Sequence, residues 1–166
     1  MRLNNFFERL NEQDKAIVNN LLAIDNLKNK YIYIYDFVCE KLDKEFKEKN
    51  YCDFQDNMCI CQRNSKNNAH NSMGCCYTFE NSKLTGFPIN TKLCPFLNNG
   101  SCSQSCIACK LHTCGYLKKQ NIKFSPNDFI LIKLFFNRKQ KLYIQNAFFT
   151  SREEIIDKLV SLNTKL

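Results

Sequence analysis

The sequence predicts a mainly α fold, with N- and C-terminal helices packed around a loop-rich, metal-stabilised cysteine cluster. Three observations carry that prediction. Apolar residues recur at steps of three and four on both flanks of the chain. Capping residues precede the C-terminal apolar runs. Ten of the eleven cysteines lie between Tyr51 and Tyr116, where helical periodicity stops. The 166 residues suit one compact domain and are enough to bury a core. In chain order the reading divides into N-terminal helices over 1–50, a cysteine-rich metal-binding region over 51–116, and a basic helical segment over 117–166.

Each element follows from local pattern. Leu3, Phe6, Phe7 and Leu10 share a helical face. Asp14 is placed to cap a second short helix through Ile17, Val18, Leu21 and Leu22. From about Asp25 to Glu48, the residues Leu27, Tyr31, Ile34, Val38, Leu42 and Phe46 make one stripe. Tyr31 to Tyr35 alternates and would suit a strand alone, but the stripe on both sides favours helix. Cys39 lies beside that stripe and reads as a small buried hydrophobe rather than a ligand. Asn64 to Ser72 and Lys83 to Asn90 read as loops.

Ser125-Pro126-Asn127-Asp128 is a helix start: a capping serine, proline at the first position and an acid in the first turn. The run Phe129 to Phe149 fits a buried helix broken near Asn137 to Lys141, or two strands with a turn there. The cap favours helix. Ser151 with Glu154 spells a capping box ahead of Ile155, Ile156, Leu159, Val160 and Leu162.

No start segment combines basic residues with an apolar run, so no secretory signal is read. No window has the ~18 apolar residues of a membrane span. The chain therefore reads as cytoplasmic, without a membrane partner. There, clustered cysteines indicate metal or redox chemistry rather than disulfides. The formal net charge is +8 and it is uneven: residues 1–50 carry none, 51–116 carry +2 and 117–166 carry +6.

Thiolates are soft ligands that select zinc or iron–sulfur clusters. A zinc site or a cubane takes about four. The candidates are Cys59, Cys61, Cys75, Cys76, Cys94, Cys102, Cys106, Cys109 and Cys114. Two Cys-x2-Cys knuckles would mark a zinc ribbon, and only Cys106 to Cys109 has that spacing. The irregular remainder favours an iron–sulfur cluster, of the 4Fe-4S kind if four thiolates serve it, over a regular zinc site.

Cys59-Ile-Cys61, Gly74-Cys75-Cys76, Cys94-Pro95-Phe96-Leu97 with Gly100 and Cys102, and Cys109-Lys110-Leu111 with Cys114 resemble the YkgJ-type cysteine-cluster proteins. The resemblance covers about residues 59–114. It implies a zinc- or iron-chelating domain and points to Cys59, Cys76, Cys94, Cys102, Cys109 and Cys114. Two departures stand out. The family's Arg-Pro segment is missing, and Cys106 is extra. The same stretch is similar to part of the longer flagellin lysine methylases. Cys102-x3-Cys106-x2-Cys109 also spells the radical SAM motif, yet the helical segment after Cys109 leaves no room for that family's barrel.

His112 lies between Cys109 and Cys114, as either a nitrogen ligand or an ordinary loop histidine. His70 reads as solvated. No cysteine is singled out as a nucleophile, and there is no Gly-rich phosphate loop. Catalytic residues are therefore not assigned, and the chain reads more as a binding protein than an enzyme. Lys118, Lys119, Lys123, Lys133, Arg138, Lys139 and Lys141 are interleaved with Phe124, Phe135, Phe136 and Tyr143. That pattern fits a nucleic-acid contact or a solvated basic face over an aromatic core. The leading expectation is an iron–sulfur protein in a redox, sensing or accessory role, with Cys94, Cys102, Cys109 and Cys114 as core ligands. Cys59, Cys61, Cys75 and Cys76 would then serve a second site or replace members of the first. The alternative is a structural zinc module that binds nucleic acid or protein.

Overall fold

In a computed structural model, the described residues are 8–55, 59–60, 63, 77–81, 88–93, 97–98, 101–102 and 106–163. The longest element is the helix α2, Leu27–Glu48, which follows α1, Glu12–Leu22. On α2, Tyr31, Ile34, Tyr35, Val38, Cys39 and Leu42 are all buried. They recur every three or four residues, so one stripe of a straight helix faces the core. Asn26 caps α2 by accepting from the Asn29 N–H at 3.1 Å. The cap of α1 is Asn11, which accepts from the Asp14 N–H at 2.8 Å. Asp14 itself stands in the first turn, where its carboxylate suits the helix dipole. Of the expected first helix, residues 1–7 lie outside the described residues, and 8–10 form a turn and bend.

The cysteine-rich region holds two short antiparallel ladders where loops were expected. β1, Tyr77–Asn81, pairs with β2, Pro88–Leu93, and Tyr77 lies opposite Leu93. β3, Leu97–Asn98, pairs with β4, Ser101–Cys102, and Leu97 lies opposite Cys102. Of the second expected loop, Pro88 to Asn90 belong to β2 instead, and 83–87 lie outside the described residues. The loop expected over Asn64 to Ser72, and His70 with it, lies outside the described residues.

The chain then returns to helix: α3, Ile107–Leu111; α4, Gly115–Lys119; a 3₁₀ turn, Pro126–Asp128; α5, Ile130–Phe135; α6, Arg138–Asn146; and α7, Arg152–Ser161. Phe129 to Phe149 is thus helical, with a break at Phe136 and Asn137. Asn137 restarts the helix through a capping box with Gln140. Ser151 and Glu154 form the box expected for α7. Ser125 and Asp128 likewise cap each other, but around a 3₁₀ turn.

One apolar core joins the two flanks. It takes Val18 and Leu21 from α1, the α2 stripe, Leu131 and Ile132 from α5, Ile144 from α6, and Ile155, Ile156 and Leu159 from α7. Ile107 and Leu111 of α3 belong to the same core. The last part of the cysteine-rich region is therefore built into the helical body. α2 packs on α7, α3 and α1, while α3 also packs on α6. Each buried aliphatic side chain is worth about 1.5–3 kcal/mol of transfer free energy, so this shared core dominates the fold.

Polar contacts fix its geometry. Gln140 is fully buried. Its Nε2 donates to the Tyr31 hydroxyl at 2.6 Å and to the Leu159 carbonyl at 2.8 Å. Its Oε1 accepts from the Asn137 N–H at 2.9 Å. Arg152 grips both oxygens of Asp36, at 2.7 and 2.5 Å, joining α7 to α2. Phe46, Tyr51 and Phe124 meet at ring-centroid distances of 5.5 to 6.3 Å and close one end of the core. Among the described residues no helix is long and apolar enough to cross a membrane.

Candidate metal centre

Cys106 stands immediately before α3 and Cys109 lies on its first turn. A two-residue gap across a helix start turns both side chains to one side, which is how half of a tetrahedral thiolate site is made. Both are buried, and Ala108 joins them in a small cluster of its own. The Cys106 thiol donates to the Ala147 carbonyl at 3.3 Å. That acceptor lies just past α6, so the far end of the chain covers the sulfur.

The surroundings favour a thiolate at Cys106. Its pKa is pushed down to about 6, first by the hydrogen bond from the Cys109 thiol, then by the backbone N–H groups of Cys109, Phe149 and Ala108, while burial opposes. Such N–H groups give a buried thiolate the solvation that water no longer supplies. Cys39 is the opposite case. Burial pushes its thiol up to about 12, although the Lys110 cation pulls the other way. Cys39 thus remains a protonated core residue, 3% exposed.

Three groups outside the cysteine spacing hold this segment in place. The Tyr35 hydroxyl accepts from the Ile107 N–H at 3.2 Å, pinning the start of α3 to the middle of α2. Lys110 is buried, at 7% exposure, and pairs with Asp43 of α2. Its charge is paired with that carboxylate and also reaches the Cys39 thiol. The turn at 147–149 wraps Cys106, and Phe149 there has φ = 57°, a left-handed conformation rare for a bulky residue.

Of the other expected ligands, Cys114 is buried and precedes α4, its carbonyl accepting from the Lys118 N–H at 3.0 Å. Cys59 is buried too, and its carbonyl accepts from the Arg63 N–H. Cys102 falls in β4. Cys61, Cys75, Cys76 and Cys94 lie outside the described residues. The structure therefore brings together Cys106 and Cys109. Among the described residues no three of His, Cys, Asp and Glu are grouped as a metal would require. His112 ends α3, half-buried, with its ring edge-on to Phe148 at 5.7 Å. Burial, then the Lys118 charge, lower its pKa, so the imidazole is neutral at pH 7.

The donor set fits a soft metal in part: two adjacent thiols, with N–H groups around one sulfur. Further ligands would have to come from the cysteines outside the described residues, or from movement of those within them. Comparison with known proteins finds no matching family model, no matching curated protein and no matching solved structure.

Proposed function

We propose that this chain is a metal-binding cysteine-cluster protein that carries an iron–sulfur cluster in a redox, sensing or accessory role in the cytoplasm. The observation that supports it most is the Cys106–Cys109 pair. Both thiols are buried, they are hydrogen-bonded to each other, and Cys106 is poised to ionise. Buried adjacent thiols of this kind suit a soft cation better than a water-facing reaction. The pair gives Cys106, which the YkgJ-type resemblance leaves extra, the same standing as Cys109. Cys94, Cys102 and Cys114 are the next ligands on this reading, with Cys59, Cys61, Cys75 and Cys76 for a second site. The cluster would supply electron transfer or oxygen sensitivity. The chain's own part is to hold the thiolates, donate N–H groups to sulfur and exclude water.

The irregular spacing of the other cysteines supports iron and sulfide over zinc. The structural zinc reading rests on one observation, that the gap and helix start at Cys106 and Cys109 are those of a zinc knuckle. Anaerobic purification followed by iron, zinc and acid-labile sulfide analysis and a visible spectrum separates the two. Brown protein with iron and sulfide is expected. Colourless protein with stoichiometric zinc would replace the cluster by the zinc module. Protein without metal, or with a metal content unmoved in both Cys106→Ser and Cys109→Ser, would overturn the site.

A further inference from the structure

The aromatics interleaved with the basic residues are buried or only partly exposed. Phe136 is buried, and Phe124, Phe135 and Tyr143 pack against the core. Among the described residues the exposed rings are instead Phe148 and Phe149, at 38% and 46% exposure. They lie just past α6 and are tilted against each other with centroids 6.5 Å apart. His112 stands edge-on to Phe148, so three rings form one array.

Phe149 lies in the left-handed region with φ = 57°, where glycine or asparagine costs least. Its ring touches Phe148 and is otherwise open to solvent over nearly half of its surface. The same turn aims the Phe149 N–H at Cys106, so the left-handed backbone serves the sulfur and leaves the ring partly exposed.

The stretch leading into this array is basic, while Glu153 and Glu154 follow it and Glu154 acts on Tyr143 of α6. From Gly115 to Ser151 the chain carries seven basic residues and one acid. That acid, Asp128, is engaged at the Ser125 cap. Arg138, Lys139, Leu142, Gln145 and Asn146 all lie on the exposed side of α6, with Leu142 62% exposed. Positions 138, 142 and 145 recur at helical spacing on one face, which runs toward Phe149. Lys118, whose charge reaches His112, is exposed beside the array.

We infer that the exposed face of α6 and the Phe148–Phe149 turn bind single-stranded nucleic acid, with the rings as a stacking platform and Arg138, Lys139 and Lys118 as phosphate ligands. Stacking on aromatic rings together with a basic track is how single strands are held without sequence readout. An anionic membrane is the weaker match. A surface helix that enters lipid presents a continuous apolar face, and this one presents Gln145 and Asn146 around a single leucine. The inference does not depend on which metal the cysteines hold.

The test is fluorescence anisotropy of a labelled oligo-dT strand with the full chain in its as-purified metal state. Binding is expected to weaken with salt at about −0.7 log units per log unit of salt for each phosphate contacted. The F148A/F149A double variant is expected to weaken binding at least about 10-fold, since each stacked base is worth a factor of about 5 to 150. R138Q/K139Q, on exposed helix positions that leave folding intact, is expected to lower the salt slope by about 1 to 2. Leu22→Ser, on α1, is expected to change nothing. Absence of binding at low salt would overturn the inference, and so would full affinity in both double variants. Ring-dependent binding to phosphatidylserine vesicles in place of the oligonucleotide would overturn it in favour of a membrane surface.

Discussion

Gln140 shows how much one side chain decides. It is buried without exposure and joins α6, α2 and α7 through three hydrogen bonds. Gln140→Leu keeps the volume but strands the Asn137 N–H, the Tyr31 hydroxyl and the Leu159 carbonyl. Each buried polar group left unpaired costs about 1–3 kcal/mol, so a loss of roughly 3 kcal/mol or more is expected in urea unfolding. A loss under about 1 kcal/mol would mean that water takes over the bonds. His112 makes a second prediction at this scale. Burial lowers its pKa, so the folded state binds fewer protons than the unfolded one just below pH 6.5. Its contribution is complete above the unfolded value and is lost as pH falls through the lower folded value. The NMR titration midpoint of His112 should therefore fall below 6.5. His112→Gln should lose less stability than the parent between pH 7 and 5. The Cys-x2-Cys spacing was visible at Cys106 and Cys109, but the core ligands expected from the sequence were Cys94, Cys102, Cys109 and Cys114, with Cys106 left extra. The cover over Cys106 was not legible, because Ala147 lies 41 residues on and leaves no local signal.

At the scale of elements, caps and stripes were the readable features. α2 was legible because its stripe persists over 22 residues, far longer than the five-residue alternation inside it. The Ser151–Glu154 box set the start of α7. Ser151→Ala removes the side-chain acceptor and should cost about 1 kcal/mol, seen as a lower Tm; no change would mean that water caps the helix as well. Asn11 was missed because Asp14, three residues on, is an equally good capping type, and only the backbone decides between them. The break expected near Asn137 to Lys141 falls at the start of that stretch, where Asn137 and Gln140 spell a box in the sequence as well. The strands went unseen for a different reason. β1 and β2 are five and six residues long, and β3 and β4 only two each. Such lengths carry little periodic signal. The Asn99-Gly100 pair between β3 and β4 was the available hairpin cue.

For the whole molecule, the core and the candidate centre are separable in composition. Among the described residues the main core contains Cys39 and no other cysteine, while Cys106 and Cys109 form a cluster apart. Metal removal by a chelator should therefore leave most of the far-UV helical signal and lower the Tm only in part. Complete loss of helix on chelation would show instead that the metal holds the fold together. That the C-terminal and N-terminal stretches share one core was expected from their apolar faces. That α3 also enters this core was not, since Ile107 and Leu111 alone make too short a pattern to read.

The Tyr35 hydroxyl that accepts from the Ile107 N–H has a consequence for portability. A cassette cut at the edges of the cysteine-rich stretch would leave behind Tyr35, Asp43 and the Ala147 turn, and with them the scaffold that orients Cys106 and Cys109. Transplanted into another host, the same spacing of cysteines would arrive without its register. Shuffling or fusion at this locus must carry the partner helix along, so the centre is inherited with the body of the protein rather than as an exchangeable part.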